Sequence, residues 1–228
     1  MLTKLDKDRV SQAIEAAEKG TSGEVVCALT GEVSHYREVP LAWAAAIALA
    51  VPPLALALGL RPLAMAGQAG FWLASQGAAL ETNLAITLGL YTLAQLVLFM
   101  VVALVVHIKP VRRLLTPATL KRHRVDRAAR HHFAALGAQA RGSETGVLIF
   151  VAVDDRQVRI LAAPSLHQKA DEAAWSKAAN AIGASMKAGH DPTGGIVEAI
   201  EICGAALKAH FPAVDDQPHV FSTQPMEV

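Results

Sequence analysis

The stretch Gly146–Val153, GVLIFVAV, contains eight consecutive residues without a charge. Its valines and its isoleucine are β-branched and favour an extended backbone. Because the apolar residues do not alternate with polar ones, both faces of the strand are expected to be buried, as in a central strand covered by helices on both sides. The stretch therefore predicts the central, doubly buried strand of a small α/β domain.

Two further strands are predicted around this one. Asp154–Gln157 reads as a tight turn, and Val158 and Ile160 flank Arg159 in the alternation typical of a neighbouring strand. The run Glu24–Thr30 is short, apolar and rich in β-branched residues, and it predicts a buried strand near the start of the chain.

Four amphipathic helices are predicted from apolar residues that recur at helical spacing. These residues are Leu2, Val10, Ile14 and Ala17; then Val125, Ala129, His132, Phe133 and Leu136; then Trp175, Ala179, Ile182 and Met186; and finally Ile196, Ile200, Cys203 and Leu207. The last helix is predicted to open at Asp191-Pro192, with an N-cap residue followed by proline at the first helical position.

Two long apolar runs predict a transmembrane hairpin. Residues 41–60 carry no charged side chain, and twenty helical residues rise about 30 Å, which matches a bilayer core. Pro52 and Pro53 are expected to kink this helix. Residues 84–108 form the second run, in which Gln95 is expected to find a hydrogen-bond partner inside the hairpin or on another protein.

The small-residue ridge Ala42, Ala46 and Ala50 is explained adequately by packing of the first span against the second, although a partner helix is an alternative. The loop of residues 61–83 is predicted to be external, and a third span within it is the competing interpretation.

The distribution of Lys and Arg predicts the orientation. The first 40 residues hold five, the loop of residues 61–83 holds one, and residues 109–130 hold eight. The positive-inside rule places both termini in the cytoplasm, and we expect a multi-pass protein of the cell inner membrane. The basic juxtamembrane segment, residues 109–125, is either a topology signal or a site for anionic lipid headgroups. A net charge of +1 gives no argument for nucleic-acid binding.

The predicted domain is discontinuous. Residues 1–40 and 126–212 form its two parts, and residues 213–228 are expected to be a disordered tail. Neither part has enough apolar surface alone, so the strand before the hairpin must join the strands after it. An even number of spans returns the chain to the same side of the membrane and is consistent with one split domain.

Several motifs resemble the TPM domain family, in its bacterial branch with a membrane hairpin. They are TSGEVV at 21–26, HHFAALG at 131–137, TGVLIFVAV at 145–153, a Trp175–Ile182 helix and ICGAALKAHFP at 202–212. The resemblance implies an α/β sandwich with a short mixed sheet. Some relatives are described as acid phosphatases with bound calcium, and others as non-enzymatic partners of membrane complexes.

Three carboxylates are candidate metal ligands. Asp154 and Asp155 follow the central strand, where ligands often bind in α/β sheets and where paired carboxylates suit Ca²⁺; an ordinary turn is the alternative. Glu24 is a candidate third ligand, or else a structural residue. Relatives commonly have an aspartate where this chain has Ala163, which weakens a hydrolase interpretation.

The remaining reactive residues offer little chemistry. Cys27 and Cys203 are expected to be buried free thiols, with a disulfide as the alternative. Adjacent His131 and His132 point to different helix faces and are poorly placed to share a metal. No nucleophile elbow, P-loop, CxxC pair or HExxH helix occurs. The sequence therefore favours an accessory or interaction module with a membrane-protein partner or a second copy of itself, and the alternative is a weak metal-assisted acid phosphatase.

Overall fold

The computed structural model describes residues 3–34, 36–58, 80–139, 146–167, 172–188, 192–213 and 224–227. The helices are α1 (Lys4–Glu18), α2 (Glu38–Ala57), α3 (Leu80–His107), α4 (Lys109–Leu115), α5 (Ala118–Gln139), α6 (Pro164–His167), α7 (Glu172–Lys187) and α8 (Pro192–His210). The strands are β1 (Glu24–Thr30), β2 (Gly146–Ala152), β3 (Gln157–Ala162) and β4 (Met226–Glu227). The chain divides into two compact units, Tyr36–Pro117 and the remainder.

The larger unit is built on a four-stranded sheet in the order β3-β2-β1-β4. β1 pairs with β2 in parallel, from Glu24 opposite Gly146 to Thr30 opposite Ala152, and β2 pairs with β3 antiparallel. The mixed α/β fold and its three predicted strands are confirmed. Because β1 and β2 lie on either side of the apolar segments in sequence, the sheet joins two distant parts of the chain.

Helices cover both faces of the sheet. Alternate residues of β1 and β2 point to one face, where α1, α7 and α8 supply the larger core, and the others point to the opposite face, where α5 covers them. Val151 and Phe150 illustrate this division, since they are neighbours in sequence and belong to different cores. The prediction that β1 and β2 are buried on both faces is therefore confirmed.

The helix patterns hold with small differences. In α7 the buried alanine is Ala178, which lies three residues after Trp175 and four before Ile182, whereas Ala179 is half-buried. Gly20 follows α1 with a φ of +85°, the left-handed geometry that glycine adopts without strain at a helix end. Leu2 and Asp191, which the sequence assigned to helix positions, lie outside the described residues.

The described end of the C-terminal tail, residues 224–227, differs from the disordered segment that the composition of residues 213–228 predicts. Met226 and Glu227 form a short strand parallel to β1, opposite Ala28 and Leu29. A salt bridge of 3.1 Å joins the carboxylate of Glu227 to Lys7. The sequence did not predict this strand because the tail is polar. A two-residue backbone pairing and one salt bridge are enough to cover part of an open sheet edge.

The smaller unit contains the two apolar helices α2 and α3, which pack against each other. Gln95 Nε2 donates a hydrogen bond of 3.0 Å to the carbonyl of Ala48. Pro52 lies four residues after Ala48 and has no N–H, so this carbonyl lacks its helical donor. The glutamine therefore satisfies a group that the proline leaves open, and the partner expected for Gln95 lies inside the hairpin.

The alanine ridge and the loop need correction. Ala42, Ala46 and Ala50 are exposed, and the buried alanines of α2 are Ala44 and Ala48. Packing against α3 therefore does not explain the ridge, because it lies on another face of the helix. α3 begins at Leu80, so residues 80–83 of the predicted loop are helical, and residues 61–79 lie outside the described residues.

Candidate functional site

The turn after β2 places the two candidate aspartates in different surroundings. Asp155 is 3% exposed, and its Oδ2 accepts a hydrogen bond of 3.2 Å from the backbone N–H of Val33. Asp154 is exposed, and its backbone N–H donates to the carbonyl of Gly31 at 2.8 Å. Asp155 thus fixes the loop that follows β1, and Asp154 lies at an exposed position of the turn.

Glu24 lies at the other end of the sheet. It is the first residue of β1 and pairs with Gly146, the first residue of β2, whereas Asp154 and Asp155 follow the last. Six strand steps of about 3.3 Å separate the two ends by about 20 Å. Glu24 therefore does not join the aspartates in one metal site, and the described residues contain no group of three or more His, Cys, Asp or Glu able to hold an ion.

Ala163 belongs to the end of the sheet where Glu24 lies. It follows β3, which runs antiparallel to β2, and its N–H donates to the carbonyl of Gly146 at 3.0 Å. The aspartate of the relatives would therefore be near the start of β1, not near Asp154. Its loss does not bear on the aspartate turn, because a whole strand length separates the two.

The TSGEVV motif stabilises the end of the sheet at which β1 begins. Thr21 donates its hydroxyl to the carbonyl of Phe211 and accepts from the N–H of Gly23 at 3.1 Å. A Cβ on Gly23 would lie 2.6 Å from a methyl of Leu207, so a larger residue there would force that buried side chain to move. Glu18 Oε1 accepts from the N–H of Val25 at 3.0 Å. The motif joins α1, β1 and the end of α8.

A basic cavity beside α5 was not predicted from the sequence. Its volume is about 540 Å³, and it lies between one face of α5 and the loop after β1. Its described lining residues are Val33, Ser34, Leu120, His123, Arg124, Arg127, Ala128, His131 and His132. The helical residues recur at intervals of three or four, which puts two arginines and three histidines on one side of α5. His131 and His132, which were expected on different faces, therefore both line the cavity. This spacing of basic residues is visible in the sequence and could have indicated the site.

Neighbouring contacts hold the walls of the cavity. Arg124 donates from Nη1 to the hydroxyl of Ser34. The imidazole of His132 stacks on Phe150 of β2, with ring centroids 5.5 Å apart and planes inclined by 24°. On another face of α5, Asp126 pairs with Arg130 and with Arg159 of β3, each at 2.9 Å. The carboxylate of α5 is thus turned toward other cations and does not line the cavity.

The two cysteines are structural. Both are free and buried in the larger core, which confirms the expectation of free thiols. Desolvation raises the pKa of Cys27 to about 12, with a smaller contribution from nearby Cys203, and desolvation raises the pKa of Cys203 to about 12. Neutral, inaccessible thiols are poor nucleophiles and poor metal ligands.

Comparison with known proteins supports the family resemblance. A family model described as the TPM domain matches residues 110–206. The solved structure of BA42 protein from the psychrophilic bacterium Bizionia argentinensis, determined by NMR, is similar with a TM-score of 0.55 and 18% identity. The match covers 100% of this chain and 96% of that one, and at this identity it concerns the fold alone. No curated protein matches the chain.

Proposed function

We propose, because the chain carries a TPM domain over residues 110–206, that it is a membrane-anchored TPM protein acting as an accessory or interaction module. Its α/β domain lies at the cytoplasmic face of the cell inner membrane, with both termini in the cytoplasm. Its partner is another membrane protein or a second copy of the chain.

The surface of α3 is the observation that carries this proposal. Its segment Leu88–His107 has a mean hydropathy of 2.4, and only 6% of that segment is buried. Large apolar side chains such as Leu93, Met100 and Leu104 are 57 to 73% exposed. A core helix of a soluble domain hides such a surface, whereas a bilayer solvates it. The α2 segment Glu38–Ala55 meets the same length and composition test and is 22% buried.

Two further features support the orientation. The parallel pairing of β1 with β2 requires that the chain return to the side from which it left, as two spans would do. The short helix α4 carries Lys109, which is exposed, and Leu114, which is 85% exposed. A lysine and an exposed leucine on one short helix suit the bilayer interface, where the basic segment of residues 109–125 would meet anionic headgroups.

Site-directed labelling tests the anchor. Both native cysteines are buried, so a single introduced cysteine reports its own accessibility to a membrane-impermeant maleimide. In intact spheroplasts we expect Ser75→Cys in the external loop to be labelled and exposed Ser176→Cys in α7 to be protected until the cells are opened. Labelling of Ser176→Cys in intact cells would refute the proposed orientation, and release of the protein by alkaline carbonate would refute the anchor.

The exposed alanine ridge of α2 tests the interaction role. Small residues let helices approach closely in a membrane, and Ala46 lies in the middle of the exposed ridge. We expect Ala46→Leu to reduce crosslinking to a membrane partner or a second copy, and Val51→Leu, at an exposed site outside the ridge, to leave it unchanged. Equal crosslinking in both variants would exclude the ridge as the contact surface.

The alternative, a metal-assisted phosphatase, loses support from the geometry. Without Glu24, the described carboxylates at the aspartate turn are Asp154 and Asp155, and Oδ2 of Asp155 already accepts from Val33. Few carboxylate oxygens are therefore left for Ca²⁺, which takes six to eight oxygen ligands. Release of phosphate from an aryl phosphate that requires Ca²⁺ and disappears in Asp154→Ala would nevertheless favour hydrolysis over the accessory role.

A further inference from the structure

We propose that the basic cavity beside α5 is a binding site for a small molecule that carries a phosphate group. The inference does not depend on membrane anchoring or on the aspartate turn. It rests on the charge, the geometry and the size of the cavity, and it concerns binding rather than hydrolysis.

The charge of the lining selects an anion. Among the described residues that line the cavity, two are arginines, three are histidines and none is a carboxylate. Arg127 is exposed and makes no ion pair with another described residue. An arginine offers a planar fork of donors that matches the oxygens of a phosphate, which makes it a common choice for phosphate recognition.

The lining is held in place before any ligand arrives. Arg124 is tied to Ser34 by a hydrogen bond, and His132 is stacked on Phe150. The loop that carries Ser34 is in turn anchored through Val33 by the buried carboxylate of Asp155. Because these groups are already ordered, a ligand does not have to supply the full entropy cost of arranging them.

The position and size of the cavity also suit a small molecule. The loop 31–34 follows the carboxyl end of β1, and the space outside the carboxyl ends of parallel strands is a favoured ligand position. A volume of about 540 Å³ lies within the range of about 300–1,000 Å³ usual for small-molecule sites. Val33, Leu120 and Ala128 provide apolar wall for the organic part of the ligand.

Calorimetric titration of the full-length protein in a non-ionic detergent tests the site, with inorganic phosphate and phenyl phosphate as probes and sodium chloride at equal ionic strength as the blank. We expect saturable binding of both, tighter for phenyl phosphate. Arg127→Gln is expected to weaken binding about tenfold, since it removes a charge-assisted contact. Arg127→Lys keeps the charge but loses the planar fork of donors. It is expected to bind phosphate more weakly than the unmodified protein and more tightly than Arg127→Gln.

Arg122→Gln is the matched control, because Arg122 is an exposed arginine of the same helix outside this cavity. We expect it to bind phosphate within twofold of the unmodified protein. Equal weakening by Arg122→Gln and Arg127→Gln would overturn the proposal, since it would show a diffuse charge effect, and so would the lack of saturable heat from a protein with an unchanged melting temperature.

Nanodiscs distinguish the two sources of the phosphate. If phosphatidic acid in a phosphatidylcholine disc abolishes phenyl phosphate binding, and Arg127→Gln reduces this competition, the ligand is a lipid headgroup. If binding is the same with and without phosphatidic acid, the ligand is a soluble phosphorylated molecule. Both results support the site. If neither phosphate probe binds, the labelling pattern expected for the membrane anchor is unaffected. The two proposals are therefore tested independently.

Discussion

Replacement of Gly204 by alanine tests how closely α8 approaches α1. A Cβ at position 204 would lie 2.6 Å from the Cβ of Ala17 and 2.9 Å from its Cα. The obstructing atoms belong to or adjoin the backbone of α1, so a side-chain rotation does not relieve the contact. Nearby, Lys208 Nζ donates to the carbonyl of Ala16 at 3.0 Å, which reinforces the same helix pair.

Two opposing terms set the magnitude. Alanine stabilises a helix interior by about 1 kcal/mol relative to glycine. Forcing extra volume between packed elements costs about 1–3 kcal/mol, and we expect the upper part of this range because backbone atoms must separate. Gly204→Ala is therefore expected to lower the free energy of unfolding by about 1–2 kcal/mol, and the bulkier Gly204→Val by more than about 3 kcal/mol.

Gly183→Ala provides the matched control. Gly183 lies inside α7, and nothing is within 4 Å of the Cβ it would acquire. The same chemical change there is expected to raise stability by about 0.5–1 kcal/mol, because only the helix-propensity term operates.

Urea unfolding in detergent, followed by the fluorescence of buried Trp175, measures the difference. The other two tryptophans are replaced in a Trp43→Phe, Trp72→Phe background, so that Trp175 reports on the α/β domain alone. If Gly204→Ala stabilises the domain as much as Gly183→Ala does, the close approach of α8 to α1 is refuted, because the steric term would then be absent.

Three further predictions concern other parts of the molecule. Asp155→Ala is expected to cost about 1–3 kcal/mol by leaving a backbone N–H without its carboxylate acceptor, whereas Asp154→Ala, at an exposed position, should change the melting temperature little; equal effects would contradict the asymmetry of the turn. Gln95→Leu is expected to destabilise the α2–α3 pair by about 0.6 kcal/mol, the average for interhelical hydrogen bonds in membranes, and the loss should shrink in a Pro52→Ala background that restores the helical donor. Burial raises the Cys27 pKa from 9.0 to about 12, so above pH 9 the unfolded thiol ionises while the folded one does not. The same holds for Cys203, so each thiol should lower the stability by about 1.4 kcal/mol per pH unit between these values, and Cys27→Ala should halve the slope in urea titrations at pH 8 to 10.5.

Local patterns were sufficient to predict the three longer strands and the larger core. The uninterrupted apolarity of residues 146–152 identified a doubly buried strand, and Ile196, Ile200, Cys203 and Leu207 marked the buried face of α8 as the structure has it. Such patterns depend on the period of a helix or strand, which a single sequence displays directly.

The arrangement of the candidate site depended on information that no local pattern contains. Glu24 and Asp154 are both near strand ends, but only the parallel register shows that these are opposite ends of the sheet. The basic residues of α5 were interpreted as an orientation signal, since their total charge is visible in the sequence and the loop that closes the cavity with Ser34 is not. The short strand at Met226 likewise depends on a distant partner.

The interrupted sheet imposes an order on synthesis of the protein. A ribosome completes β1 and must then translate residues 31–145 before the parallel neighbour of β1 emerges, which takes on the order of ten seconds at about 5–20 residues per second. During that interval β1 is an apolar strand with both edges unpaired, a species prone to aggregation. Nascent chains halted before Gly146 should therefore need a chaperone to remain soluble, and the emergence of β2 sets the earliest time at which the domain can fold.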